Sequence, residues 1–231
     1  MKREKKQENF PWKKVLVIAV GVLFVFMMVL SAMGMSWLQS FRSVMTNDTV
    51  TIGLTIRDAY GRPIFTTDEN LYRTGITAGV PVFLAAPLTV RAGYAGNPGV
   101  NGINAQNYYL SEGGQQLKFG LLGQELDEID IAVLSMKKGD VKTISFSYAE
   151  PLELTLDSKE FTAMGGNFTQ TSPGDLIPLG ISETPVVEGS VVNSTAQNTA
   201  WRIGTIASKT ANSIVVDHRY PTADITVEKI G

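Results

Sequence analysis

Residues 125–148 read ELDEIDIAVLSMKKGDVKTISFSY, and this stretch decides the fold. Apolar residues recur at helical spacing in its first half: Leu126, Ile129, Val133 and Leu134. This period predicts one short helix from Glu125 to Met136, and Gly139 follows as a typical helix stop. Polar and apolar residues then alternate from Asp140 to Tyr148, which predicts a strand.

Acidic residues crowd the first turns of the predicted helix: Glu125, Asp127, Glu128 and Asp130. Negative charge near a helix N-terminus is favoured by the helix dipole, so one interpretation is a solvated helix start. Acid–base chemistry or calcium binding by paired carboxylates is the other, although no EF-hand spacing accompanies the group.

Strand-like segments precede the helix. Thr49–Ile56 alternates polar and apolar residues, and the turn residues Asp58–Pro63 lead into Ile64–Thr67, which predicts a hairpin. Pro81–Arg91 is a further apolar, strand-like run. Glycine and asparagine recur through Gly93–Gly114, which predicts a long loop or a loose hairpin.

The order of these parts is itself a signal. A hairpin, a Pro-Leu-Thr-Val strand at Pro87–Val90, a helix ending in Met-x-x-Gly-Asp and a Lys-Thr-Ile-Ser-Phe strand follow one another. Ser213–Pro221 and Asp224–Glu228 supply two closing strands. This order resembles the FKBP family of prolyl isomerases over roughly Thr49–Ile230. The resemblance implies an α+β fold in which residues 49–151 and 212–231 form an antiparallel sheet wrapped on one short helix.

Residues 152–211 lie between these two parts and exceed what a minimal FKBP domain needs. Three of their segments resemble the inserted flap of SlyD-like isomerases: Asp157–Phe161, Pro185–Val192 and Trp201–Ile206. In that branch the flap binds unfolded chains, so the resemblance implies a separate β-rich flap domain. Short apolar runs in the flap are candidate client-binding segments: Ile177–Leu179, Val186-Val187 and Val191-Val192.

Prolyl isomerisation needs a dry, apolar pocket, because twisting the amide makes it less polar; it needs no nucleophile, metal or cofactor. Carried over by resemblance, the catalytic positions are Leu126, through its backbone N–H, and Phe65. The resemblance assigns five positions to substrate binding: Leu54, Ile64, Ile129, Glu150 and Ile225. Most of the family's aromatic rings are replaced at these positions, which implies a low activity.

The N-terminal region is predicted to enter a membrane. Residues 1–14 carry six basic and two acidic side chains, so this tip has a charge of +4 and leaves −6 for the rest of a chain whose total is −2. No charged residue occurs from Val15 to Phe41, and Trp12 and Trp37 bracket the apolar core. We expect a single-pass helix within 15–41, a linker at 42–48, the basic tip in the cytoplasm and the domain outside. A cleaved signal peptide is the alternative.

Composition removes several classes of function. Cysteine is absent and His218 is the one histidine, which excludes disulfides, thiolate chemistry and a multi-histidine metal site. Charged residues make up 18% of the chain with a net charge of −2, which argues against nucleic-acid binding. Asn47, Asn167 and Asn193 stand in sequons, and each is either a glycosylation site or an ordinary surface asparagine.

The sequence therefore predicts a membrane-anchored prolyl isomerase and folding helper whose partners are unfolded or proline-containing proteins. A non-enzymatic, FKBP-like binding module of the cell envelope is the alternative.

Overall fold

The computed structural model describes residues 12–32, 42–97, 99–111, 115–182 and 199–231. Several predictions fall outside these residues: most of the basic tip, Trp37, the segment Pro185–Val192 and the sequon at Asn193. The chain divides into two compact units, Met1–Arg42 and Ser43–Gly231.

The first unit contains a single helix in its described part, α1 (Trp12–Ala32). Its 21 residues span about 31 Å at 1.5 Å per residue, which matches the hydrocarbon thickness of a bilayer. Its side chains from Val15 to Val29 are exposed and almost wholly apolar. The predicted apolar N-terminal helix is therefore confirmed, with bounds that suit either a single-pass anchor or a signal sequence.

The second unit is built from twelve strands and three short helices in its described residues. The strands are β1 (Thr49–Arg57), β2 (Pro63–Thr66), β3 (Phe83–Ala85), β4 (Leu88–Arg91), β5 (Val100–Asn107), β6 (Leu117–Leu122), β7 (Val141–Ser145), β8 (Glu153–Asp157), β9 (Leu176–Ser182), β10 (Thr199–Lys209), β11 (Ser213–Asp217) and β12 (Thr222–Ile230). The helices are α2 (Glu69–Thr77), α3 (Gly123–Ala132) and α4 (Ser158–Ala163). The predicted α+β class is confirmed.

All twelve strands belong to one curled sheet in the order β7-β12-β1-β2-β3-β5-β6-β10-β11-β8, with β4 paired to β1 and β9 paired to β10. The sheet is mixed, whereas the sequence predicts an antiparallel one. Phe65 pairs with Phe83 in a parallel register, and Trp201 pairs with Phe119 in another. Parallel neighbours need a crossover, and α2 supplies it between β2 and β3.

The helices also differ from the single one expected. Asp68 caps α2 by accepting hydrogen bonds from the N–H groups of Asn70 and Leu71. Asp157 caps α4, and Glu160 completes a capping box with it. The core-facing helix α3 ends at Ala132 rather than at Met136, because Ser135 adopts a left-handed backbone with φ of 66°.

Two clusters of buried apolar side chains stabilise this unit. The larger cluster lies beneath β1, β12, β2 and α3. The smaller one joins β8 to β11 with α4 and contains Leu156, Phe161, Leu179, Ile206, Ile214 and Val216. The flap segment shares this small core with β11, which lies outside residues 152–211, and its strands β8 to β10 continue the main sheet. Its behaviour as a separate domain stays a prediction.

Candidate functional site

The predicted isomerase pocket lies inside the larger core. Ile64, Phe65, Ile129 and Ile225 are wholly buried, and Leu54 is 1% exposed. All five belong to the same buried cluster, so the fold does bring these positions into one core. Of these five, only Leu54 borders a described cavity, which Asp68, Asp224 and Glu228 also line.

Aromatic rings from elsewhere occupy the core around Phe65. The Phe119 ring centroid lies 4.7 Å from that of Phe65 and 5.9 Å from that of Tyr220, with which it stacks. Phe83 adds a third contact to Phe119 at 5.3 Å. Phe119 on β6 and Tyr220 in the turn before β12 thus supply aromatic rings that the predicted pocket positions lack. These rings fill the protein interior and do not line an opening.

The two remaining predicted site residues lie apart from this core. Glu150 is exposed, in the connection between β7 and β8. Leu126 is half-buried and is the fourth residue of α3, whose N-cap is Leu122. The N–H at this helical position is the first that an α-helix bonds internally, here to the Leu122 carbonyl. The proposed substrate donor is thus used within α3.

A buried ion pair joins α3 to β10. Glu125 and Arg202 are both wholly buried, and Arg202 Nη1 and Nη2 each lie 2.8 Å from a Glu125 carboxylate oxygen. Arg202 also donates to the carbonyls of Gly120 and His218, at 2.9 Å and 2.7 Å. Glu125 is therefore buried and is not part of a solvated helix start. Through this ion pair, strand β10 of the flap segment is linked to α3 in the main core.

Two tyrosines complete this network. The Tyr148 hydroxyl donates to Glu125 Oε1 at 2.6 Å, and the Tyr220 N–H donates to the Tyr148 hydroxyl at 3.0 Å. The Arg202 guanidinium lies 4.2 Å above the Tyr220 ring. Burial, reinforced by the Glu125 charge, raises the pKa of Tyr148 well above its usual value. Burial raises the pKa of Tyr220 to about 12. Both phenols stay protonated at neutral pH, so neither of them is a general base.

His218, which the resemblance places in a turn, borders this network. Burial lowers the pKa of its imidazole, and the Arg202 charge acts in the same direction. Its Nδ1 is buried without a hydrogen-bond partner in the described part of the chain. This half-buried side chain is therefore neutral at physiological pH.

A cleft with apolar and polar lining residues lies along β9. This cleft, of about 540 Å³, separates β9 from the segments that contain Val80, Pro81 and Leu110, and Leu176, Ile177 and Pro178 form its opposite wall. A smaller cavity of about 140 Å³ lies against the same two residues, Ile177 and Pro178, and is lined by Phe161 and Met164. We call the two together the β9 groove.

In the described part of the chain, the backbone of β9 is paired along one side only. Within the described residues β9 pairs with β10 alone, over Leu176 to Ser182. Pro178 has no N–H, and proline within a sheet is typical of an edge strand. Sequence reasoning identified Ile177–Leu179 as an apolar segment. Leu179 is buried in the smaller core, Ile177 is half-buried and packs against that core while bordering the cleft, and Pro178 is exposed.

No group of three or more histidine, aspartate or glutamate side chains is arranged to bind a metal ion within the described ranges. Comparison of the chain with known protein families and with curated protein sequences found no match.

Proposed function

We propose that this chain is a membrane-anchored polypeptide-binding protein that holds unfolded or proline-containing segments in the β9 groove. The observation that carries the proposal is that Ile177 and Pro178, on an edge strand, border both cavities of the groove. An extended segment laid along the groove would therefore meet apolar side chains on two sides of β9.

The chemistry of the groove suits such a ligand. Its walls are mostly aliphatic or proline residues, while Arg62 and Asp175 border the larger cavity. Ligand sites in proteins are commonly apolar clefts with a few polar groups that fix orientation. An edge strand adds main-chain hydrogen-bonding groups that can pair with a bound chain whatever its sequence, which suits a protein that binds many different polypeptides.

The N-terminal helix gives the second half of the proposal. Positive charges flank membrane helices on the cytoplasmic side, and the +4 tip precedes α1. The domain would then act outside the cytoplasm, on proteins that fold there. Retention of α1 as an anchor keeps the binding domain near the membrane that those proteins cross.

The test uses the full-length chain in detergent micelles and a chemically unfolded protein that aggregates on dilution. The double variant Ile177→Ser/Pro178→Ser should lose most of the suppression of aggregation, since it removes the apolar residues common to both cavities. Val141→Ser, which removes a 68% exposed apolar side chain on β7, is the matched control and should keep it. Circular dichroism must show both variants folded; equal suppression by all three proteins would contradict the proposal.

Prolyl isomerisation is the second candidate, and Leu126 is the observation in its favour, since it is accessible from a cavity of about 330 Å³. The burial of Ile64, Phe65 and Ile129 and the use of the Leu126 N–H within α3 argue for little turnover. In a protease-free peptide assay we expect acceleration close to that of an unrelated protein. A rate that rises with protein concentration well above that control would make the isomerase the function.

A further inference from the structure

A further cavity, of about 330 Å³, is partly lined by α3 and shares no lining residue with the β9 groove. It is lined by Thr89, Val90, Arg91, Tyr94, Asn97, Leu126 and Asp130. The volume is at the lower end of the range for small-molecule sites. The lining combines an apolar wall with one carboxylate and one guanidinium.

Two neighbouring carboxylates near this cavity have different hydrogen bonding. Asp127 accepts from the N–H groups of Gly96 and Asn97 and from Asn97 Nδ2, at 2.7–3.0 Å, so its bonding is satisfied by the loop after β4. Asp130 is 3% exposed and accepts a single bond, from Asn97 Nδ2 to Oδ2 at 3.0 Å. Its Oδ1 is buried without a partner in the described part of the chain.

A buried carboxylate with a single hydrogen bond is costly to keep charged. Burial raises the pKa of Asp130 to about 6, with a further contribution from the Asp127 charge. The carboxylate is therefore largely ionised at neutral pH and would gain most from a charged N–H donor.

Arg91 supplies the opposite charge at the same cavity. Its Nη2 donates to Asn47 Oδ1 at 2.8 Å, and its guanidinium lies 5.8 Å from the Tyr94 ring centroid. No ion pair joins Arg91 to Asp130 or to another carboxylate among the residues that the structure describes. Two opposite charges thus line one cavity without bonding each other, with Val90 and Leu126 lining it as well.

We propose that this cavity binds a small zwitterion with an apolar body, the chemistry of a free α-amino acid such as leucine. Its ammonium would bond the Asp130 carboxylate, its carboxylate would pair with the Arg91 guanidinium, and its side chain would contact Val90 and Leu126. The proposal is independent of the polypeptide-binding function, because it uses no residue of the β9 groove.

The experiment is calorimetric titration of the full-length chain in detergent with four probes at pH 7.5. L-Leucine carries both charges, isopentylamine and isovalerate carry one each, and N-acetyl-leucine N-methylamide carries a neutral peptide group at either end. We expect leucine to bind at least tenfold more tightly than each of the other three. Absence of saturable leucine binding, or equal binding by any of the others, would overturn the proposal.

Variants locate the site. Asp130→Asn and Arg91→Met should each weaken leucine binding at least tenfold, because each removes one of the two charges. Glu69→Gln and Arg73→Met are matched controls, since they remove an exposed opposite-charge pair on α2, and should leave leucine binding unchanged. Leucine binding that survives both cavity substitutions in folded protein would also overturn the assignment.

Discussion

At the scale of single residues, the pair Glu125 and Arg202 matters most, and the sequence does not reveal it. An acidic residue in the first turn of a helix is usually solvated or caps the helix, and Glu125 does accept a hydrogen bond from the Leu122 N–H. Its second role needs Arg202, which is 77 residues away along the chain. A local sequence pattern cannot indicate a contact between residues that lie 77 positions apart.

Removing one member of this pair should destabilise the fold strongly. Arg202→Met leaves the Glu125 carboxylate buried and unpaired, and we expect a loss of about 3–5 kcal/mol in the free energy of unfolding. The double variant Glu125→Leu/Arg202→Met replaces both charges by apolar groups and should recover part of that loss. Guanidinium unfolding followed by near-ultraviolet circular dichroism measures both. A single variant as stable as the wild type would show that the pair is not energetically coupled to the fold.

Asp130 gives a prediction about pH. Burial raises its pKa in the folded protein to about 6, from the ordinary aspartate value of 3.8. The folded state therefore binds the proton more tightly than the unfolded state. Stability from this group is fully present below about pH 4 and is lost as the pH rises through 6.

Asp130→Asn removes this titration. The variant should gain stability over the wild type above pH 6, by at most about 3 kcal/mol, and lose that advantage near pH 4. Unfolding free energies at pH 4, 5, 6 and 7.5 measure the difference. A difference between the two proteins that does not change with pH would rule out the raised pKa as its cause.

At the scale of elements, the periodicity of apolar residues predicts the secondary structure that depends on neighbouring residues. The hairpin of β1 and β2, the helix α3 and the closing strands β11 and β12 lie where alternation or helical spacing indicates them. Strand β5 lies in the stretch expected as a loop or a loose hairpin, because its Gly-Asn-rich sequence gives weak alternation. Helix α2 has nine residues, most of them polar, and the sequence analysis did not assign it, although its amphipathic spacing and its cap Asp68 are signals that could have located it.

Strand β10 packs against its neighbours too closely for a side chain at Gly204. A Cβ there would lie 2.5 Å from Val216 Cγ1 and 3.1 Å from Leu179 Cδ1. Gly204→Ala should therefore cost about 1–3 kcal/mol, the usual range for overpacking. Gly99→Ala, where a Cβ meets nothing within 4 Å, is the control and should change stability by less than about 0.5 kcal/mol. Equal midpoints in thermal unfolding would mean that β10 shifts to accept the methyl group.

At the scale of the whole molecule, the flap segment is tied to the core more firmly than an inserted domain needs to be. Strand β10 pairs with β6 in the main sheet, and its Arg202 neutralises Glu125. Deleting residues 152–211 would leave a buried carboxylate without its partner, so point variants are the sound test of the groove. The sequence located the apolar segment at Ile177 but not the cleft, because the opposing wall comes from Val80, Pro81 and Leu110.

The anchor has its own prediction. In alkaline carbonate extraction the full-length chain should stay in the membrane pellet, because α1 is long and apolar enough to span. Val22→Lys/Phe26→Lys, near the middle of α1, should move it to the supernatant, since each central charge costs about 2.5–3.5 kcal/mol on insertion scales. Lys13→Gln/Lys14→Gln, at the end of the helix, is the control and should remain in the pellet. A wild-type chain found in the supernatant would favour the cleaved signal.

Site-specific photocrosslinking tests the central claim, that unfolded polypeptide binds in the β9 groove, most directly. A photoreactive residue at position 164 replaces the 56% exposed Met164 of the groove, and one at position 141 replaces the 68% exposed Val141 on β7, a strand that lines neither cavity of the groove. With a reduced, unfolded test protein we predict crosslinks from position 164 that excess unlabelled unfolded protein suppresses, and few from position 141. Equal yields from the two positions, or none from position 164, would contradict the account.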